Sequence, residues 1–177
     1  MANNRNQGYE LIDDINKVLG FWFGFEKDQK EVIRQQSVLW WGKDVNIDFD
    51  IKERFEETYQ LAINDKLDDW LNSIKGQLAL IIVLDQFSRV IHRDSATAFS
   101  QDSKALKIAL EGISKGYDDA LSFVERIFYL HGWSVCRGRT GSPERLFTCR
   151  WSIQKIWVTR VKVLNYFRSF YLKCLKI

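Results

Sequence analysis

A run of seven consecutive apolar residues, Leu78 to Leu84, constrains the fold of this chain more than any other feature. A buried strand is one interpretation of such a run taken alone. The run nevertheless continues without Gly or Pro into Asp85-Gln86-Phe87, and the rest of the chain shows no evident partner strands. A helix from about 73 to 91 is therefore the better interpretation. Because this helix would be apolar on all sides, it must also be covered on all sides.

Other segments have apolar residues at the three- and four-residue spacing that is typical of amphipathic helices. The predicted helices cover about 9–23, 28–41, 46–62 and 95–115, and a further helix starts at Ser122. Ser122 and Glu125 form the capping-box pattern that marks a helix N-terminus. Short turns between successive helices favour antiparallel helical hairpins. The sequence thus predicts an all-α fold, preceded by a disordered polar leader at 1–8.

The length of 177 residues is typical of one domain, and no apolar stretch is long enough to span a bilayer. The polar start of the chain lacks the apolar core of a secretory signal, so we expect a cytoplasmic protein and no membrane partner. The charge changes sharply near Leu130. Residues 131–177 contain ten Lys and Arg against one Glu, a net charge of +9, which leaves −6 for residues 1–130. We therefore expect a helical domain at 9–130 and a basic, aromatic tail at 131–177.

Several motifs, taken together and in this order, resemble an uncharacterised family with a tetratricopeptide-like helical fold, the domain of unknown function numbered nine-two-four. They are Val18-Leu19-Gly20-Phe21-Trp22-Phe23-Gly24, Asp69-Trp70, Leu78 to Arg89, Ile91-His92-Arg93, Ala98-Phe99, Asp102 and Val124 to Phe128. The resemblance covers about 18–130 and implies a tetratricopeptide-like array of helices. It brings no accepted catalytic role with it.

The family pattern is lost after Leu130, where further helices would follow. The loss coincides with the reversal of charge and with a cluster of all three Cys. We take this coincidence as a hypothesis that the reading frame shifts there and truncates the helical domain. A divergent natural C-terminus is the alternative, and the coding DNA and transcript across codons 126–145 distinguish the two.

The leading candidates for a ligand site are Asp85, Arg89 and Arg93, which follow one another at four-residue intervals. On a helix these side chains share one face. Two arginines beside one acid can form a small anion-binding pocket, because the guanidinium fork matches carboxylate and phosphate. A purely structural ladder of ion pairs explains the same spacing. Gln86 and Asp102 complete the candidate site, with Asp102 as a partner for one of the arginines.

The remaining chemistry-bearing residues give weaker signals. His92 fits a surface or capping role better than a catalytic one, and Trp22 fits the core. Trp40 and Trp41 point to different sides of a helix, so we expect one of them to be partly exposed. Cys136, Cys149 and Cys174 lack metal-ligand spacing. We recognise no cofactor motif and expect neither a metal nor a cofactor.

Three functions remain open at this point. The first is a helical scaffold that binds a protein partner or a small anionic ligand in a groove. The second is a small enzyme that uses the Asp85, Arg89 and Arg93 cluster, although no catalytic constellation is recognisable. The third and weakest is nucleic-acid binding through the basic tail, since translation out of frame produces the same basic and aromatic composition without selection for binding.

Overall fold

A computed structural model describes the backbone of residues 3–136 and the side chains of residues 13–130. Its helices are α1 (Asn3–Phe23), α2 (Gln29–Trp41), α3 (Val45–Ile63), α4 (Ile74–Ile81), α5 (Ser88–Ile91), α6 (Asp102–Ser114) and α7 (Phe123–Cys136). A π-helical segment, Ile82–Phe87, joins α4 to α5 without a break, and short 3₁₀ turns lie at Asp68–Asn72, Ala96–Phe99 and Tyr117–Ala120. Residues 3–136 contain no strand, which confirms the predicted all-α class. The basic tail lies outside the described residues from 137 onward.

Most helices start where the sequence places a capping side chain. The carboxylates of Asp28 and Asp44 accept hydrogen bonds from the backbone N–H groups of Lys30 and Asn46, at 3.1 and 2.8 Å. At α7, the backbone N–H of Ser122 donates to Glu125 Oε2 at 3.0 Å, which closes one half of the predicted capping box. These contacts satisfy amide groups that a helix start leaves without an intrahelical partner.

Four features of the helices differ from those that the apolar spacing predicts. Helix α1 begins at Asn3 rather than near residue 9, because apolar spacing cannot register a polar first turn. The predicted helix 73–91 contains the π segment, and the predicted helix 95–115 divides into the 3₁₀ turn Ala96–Phe99 and α6. Helix α7 continues to Cys136, past residue 130, where the sequence predicts the end of the helical domain. Its backbone passes through Gly132, which a helix interior tolerates at a cost of about 1 kcal/mol.

The stretch formed by α4 and the π segment lies at the centre of the domain. Helices α1, α6 and α7 pack against α4, and α3 packs against the π segment. Every residue from Leu78 to Leu84 is at most 2% exposed, which confirms the prediction of a helix covered on all sides. The tetratricopeptide-like order of the array stays a prediction. Helix α4 packs against α1 as well as against α6 and α7, so its partners are not confined to its neighbours in sequence.

Aromatic side chains fill the space on one side of this central stretch. Trp22 packs edge-on against Phe87 and Phe128, with ring centroids 5.7 and 5.4 Å apart. The indole N–H of Trp40 donates to the Trp22 carbonyl at 2.9 Å. As predicted, Trp22 is core, and the adjacent Trp40 and Trp41 differ in exposure, at 8% and 43%.

Candidate functional site

The π segment is the local feature that places the candidate site. A π-helix closes its hydrogen bonds over five residues rather than four, and such segments occur frequently at functional sites. Here the segment brings Asp85 into the interior, where its side chain is completely buried. The next residue along, Gln86, is partly exposed and donates from its side-chain amide to Asp85 Oδ2.

Arg89 is the counterion of this buried carboxylate. Its Nη2 lies 2.8 Å from Asp85 Oδ1, and its Nη1 donates to the Asp85 backbone carbonyl, also at 2.8 Å. The guanidinium is thus anchored to both the side chain and the backbone of one residue a helical turn earlier. Burial of the carboxylate makes this pairing necessary, because an uncompensated buried charge is strongly destabilising.

A second carboxylate reaches Arg89 from another element. Asp102, the first residue of α6, accepts from Arg89 Nη1 at 3.0 Å. The Ala98 carbonyl lies 3.4 Å from the same nitrogen, and the guanidinium carbon sits 5.0 Å from the centre of the Phe99 ring. The Arg89 side chain remains 21% exposed, whereas that of Asp102 is 11% exposed. The pair of Arg89 and Asp102 is thus mostly buried, although less completely than Asp85.

Three polar groups beneath the ion pairs were not identified from the sequence. Ser88 Oγ is fully buried, donates to the Ala98 carbonyl at 3.1 Å and lies 3.3 Å from Tyr59 Oη. Because the Ala98 carbonyl also contacts Arg89, this network connects α3 to the floor of the site.

Arg93 has a different partner from the one that its spacing predicts. Helix α5 ends at Ile91, so the four-residue periodicity no longer applies at position 93. Its Nε and Nη2 instead contact the two carboxylate oxygens of Asp48, at the start of α3, each at 2.5 Å. The structure thus brings together Asp85, Gln86, Arg89 and Asp102, and it places Arg93 in a separate ion pair.

The described part of the chain also locates the weaker candidates. His92 follows the last residue of α5, is partly buried and packs edge-on against Tyr59 with ring centroids 5.3 Å apart. Within the described residues, no group of three His, Cys, Asp or Glu is placed to hold a metal ion. Cys149 and Cys174 lie outside the described residues, as does the side chain of Cys136.

A second buried polar pair lies between α4 and α7 and also escaped prediction. The Tyr129 hydroxyl donates to Gln77 Oε1 at 2.7 Å, and Gln77 Nε2 donates to the Leu71 carbonyl at 3.0 Å. Gly112 provides the necessary space, since a Cβ added there would come within 1.7 Å of the Tyr129 hydroxyl oxygen. Burial raises the pKa of Tyr129, so the hydroxyl remains a hydrogen-bond donor. All its partners are internal, which is typical of a structural contact.

The fold and site together define an all-α domain whose central helical stretch carries a buried carboxylate paired with a partly exposed arginine. The chain belongs to the family described as "Bacterial protein of unknown function (DUF924)", which matches residues 18–134. This match confirms the family resemblance and carries it four residues beyond Leu130.

Comparison with solved structures finds the protein of unknown function ATU0120 from Agrobacterium tumefaciens, with a TM-score of 0.60 and 29% sequence identity. The match covers 70% of this chain and 64% of that chain, so this chain spans less than two thirds of the length of its structural relative. No curated protein matches the sequence. Among the helices of the described region, none has the length and apolar character needed to cross a membrane.

Proposed function

We propose that this domain is a binding module that takes a small anionic group, a carboxylate or a phosphate, at Arg89. The observation that carries the proposal is the way in which Arg89 is held. A completely buried carboxylate fixes the guanidinium from inside, and the Phe99 ring flanks it, while about a fifth of the side chain remains exposed.

A guanidinium held in this way suits anion recognition. Arginine offers five N–H donors in a planar fork that matches carboxylate and phosphate oxygens. Its flexible side chain normally loses rotamer freedom on binding, at a cost of about 0.5–1.5 kcal/mol. Asp85 and Phe99 already restrict Arg89, so that cost is largely met in the folded protein.

The same geometry favours binding over catalysis. A general acid or base must come within hydrogen-bond reach of the substrate. The Asp85 carboxylate is completely buried, and its position suits it to orient Arg89 rather than to touch a ligand. Exposed apolar side chains such as Val45 and Phe49 offer a surface for a protein partner, but they specify no partner chemistry. Arg89, by contrast, specifies both a charge and a geometry.

The expected affinity for a simple anion is low. A hydrogen bond to a charged group contributes about 1.5–3 kcal/mol, and a millimolar dissociation constant corresponds to about 4 kcal/mol. Two such contacts to inorganic phosphate therefore predict a dissociation constant of about a millimolar. A natural ligand with further contacts would bind more tightly.

The test is a titration of phosphate and of acetate into the full chain at constant ionic strength, followed by NMR of the arginine side-chain Nε–H groups. We expect saturable shifts at Arg89. Arg89→Lys keeps the charge but removes the fork, and it should weaken binding at least fivefold; since this variant has no Nε–H group at position 89, its binding is followed by the backbone amide resonances around the site. Arg93→Gln is the control, because Arg93 pairs with Asp48 and its replacement should leave phosphate binding at Arg89 unchanged. Non-saturable shifts, or equal losses in both variants, would refute the proposed function.

A further inference from the structure

Resting on this proposed function, we infer that Asp102 is an internal competitor of the ligand, a carboxylate of the protein that occupies the ligand's place on Arg89. An arriving carboxylate or phosphate would take over the contact to Arg89 Nη1, and Asp102 would turn to solvent. The contact between Asp102 and Arg89 thereby weakens ligand binding at Arg89.

The two carboxylates on Arg89 are not equivalent. Asp85 lies on the same helical stretch as Arg89, is completely buried and contacts the guanidinium through both its side chain and its backbone. Asp102 comes from α6, is buried less completely than Asp85, with 11% of its side chain exposed, and makes one contact to the guanidinium, at 3.0 Å. Asp85 is part of the fixed frame of the site, and Asp102 is the partner at its outer side.

Burial decides which of the two an anion can displace. Removing Asp85 from Arg89 would strand a charge in the interior, which is strongly unfavourable. The Asp102 side chain keeps 11% of its surface exposed, so water can reach it and replace part of the lost contact, whereas no water reaches Asp85. Of the two carboxylates, Asp102 is therefore the one that an external anion can replace at the lower cost.

The charge of the cluster explains why this contact restrains binding. Arg89 faces two carboxylates, so the group of three side chains carries a net charge of −1. Asp102 repels an anion that approaches Arg89, and it also occupies the contact to Arg89 Nη1 that the anion would make. Removing the Asp102 charge leaves a neutral pair of Asp85 and Arg89, and the long contact to the Ala98 carbonyl, at 3.4 Å, is then the remaining partner of Nη1 besides the Asp85 carbonyl.

The experiment compares phosphate binding by the wild-type chain, by Asp102→Asn and by Asp48→Asn at constant ionic strength, again through the arginine Nε–H resonances. Both variants remove one negative charge from an arginine partner, and only the first alters the contacts of Arg89. We expect Asp102→Asn to tighten phosphate binding at least fivefold, the size of effect that a unit charge about 4 Å away exerts in water. Asp48→Asn should leave it unchanged.

The outcomes separate the competitor role from the proposed function. Arg89-dependent phosphate binding that Asp102→Asn leaves unchanged or weakens would overturn the competitor role and retain the site. Absence of saturable binding in the wild type and in Asp102→Asn would overturn both. Phosphate binding at least fivefold tighter in Asp102→Asn than in the wild type, and lost in Asp102→Asn/Arg89→Lys by backbone amide resonances, would support the competitor role. If Asp102→Asn does not fold, Asp102→Ser provides the same comparison with a polar residue at the start of α6.

Discussion

Asp85, at the centre of the candidate site, is a carboxylate with no access to solvent. The charge of Asp85 is compensated by Arg89 on the following turn, a neighbour that the four-residue spacing predicted. The spacing could not predict the approach of Phe99 and the Ala98 carbonyl, because they come from a turn whose position depends on packing. At the scale of single residues, local pairs follow from the sequence and the surroundings of those pairs do not.

Replacing Asp85 should reveal how far burial strengthens its role in folding. Asp85→Asn keeps the shape of the side chain but leaves the Arg89 charge without its buried counterion, so we expect the free energy of unfolding to fall by about 3 kcal/mol. Urea denaturation followed by far-UV circular dichroism measures the change. The control is Asp50→Asn, which breaks the exposed pair of Asp50 and Arg54 and should cost less than about 1 kcal/mol. Similar losses in both variants would show that burial of Asp85 is not the decisive factor.

At the scale of elements, the helix ends follow from the sequence more closely than the course of the central helix does. Asp28, Asp44 and Ser122 all lie at helix starts, because short polar side chains accept hydrogen bonds from the free amides there. The π segment had no such signal. Since every residue from Leu78 to Leu84 is apolar, the run carries no phase that could distinguish an α-helical from a π-helical turn.

The capping box of α7 predicts a dependence of stability on pH. Burial opposes ionisation of Glu125, but Lys75 and the Ser122 amide and hydroxyl outweigh it and lower the pKa of Glu125 below its ordinary 4.5. A carboxyl group with a lowered pKa in the folded state stabilises the protein above the unfolded-state pKa, and this contribution is lost as the pH falls through the folded-state pKa. Glu125→Gln should therefore destabilise the protein at pH 7, and its difference from the wild type should shrink as the pH falls below 4.5 and through the lowered folded-state pKa.

The measurement is the difference in urea midpoint between wild type and Glu125→Gln from pH 7 to pH 3. The exposed Glu53 of α3 supplies the control, because Glu53→Gln should leave the midpoint nearly unchanged across the range. A difference between wild type and Glu125→Gln that is constant with pH would contradict the electrostatic account of this cap.

At the scale of the whole described domain, the central stretch joins helices that are far apart in sequence. Helix α4 packs against α1 on one side and against α6 and α7 on others, so the core draws on both ends of the described region. Trp22 and Trp70, both nearly fully buried, report on this core. Such an arrangement favours a single cooperative unfolding transition.

Ile82→Ala tests this cooperativity. Ile82 is completely buried, and truncation of a buried Ile to Ala typically costs about 2–5 kcal/mol. We expect the tryptophan fluorescence and circular dichroism transitions to shift together to lower urea. Leu110→Ala, at a position 38% exposed, should cost less. Separation of the two transitions in Ile82→Ala would show that the central stretch does not unite the helices.

The amino-acid sequence was sufficient for the all-α class, the existence of the main helices, the burial of the central one and the family. Each of these rests on local patterns: apolar spacing, capping residues and ordered motifs. The tertiary structure alone decided which charges meet. Arg93 pairs with Asp48, 45 positions away, and Arg89 pairs with Asp102 across two elements. Every carboxylate attracts every arginine, so which pairs form depends on how the helices pack.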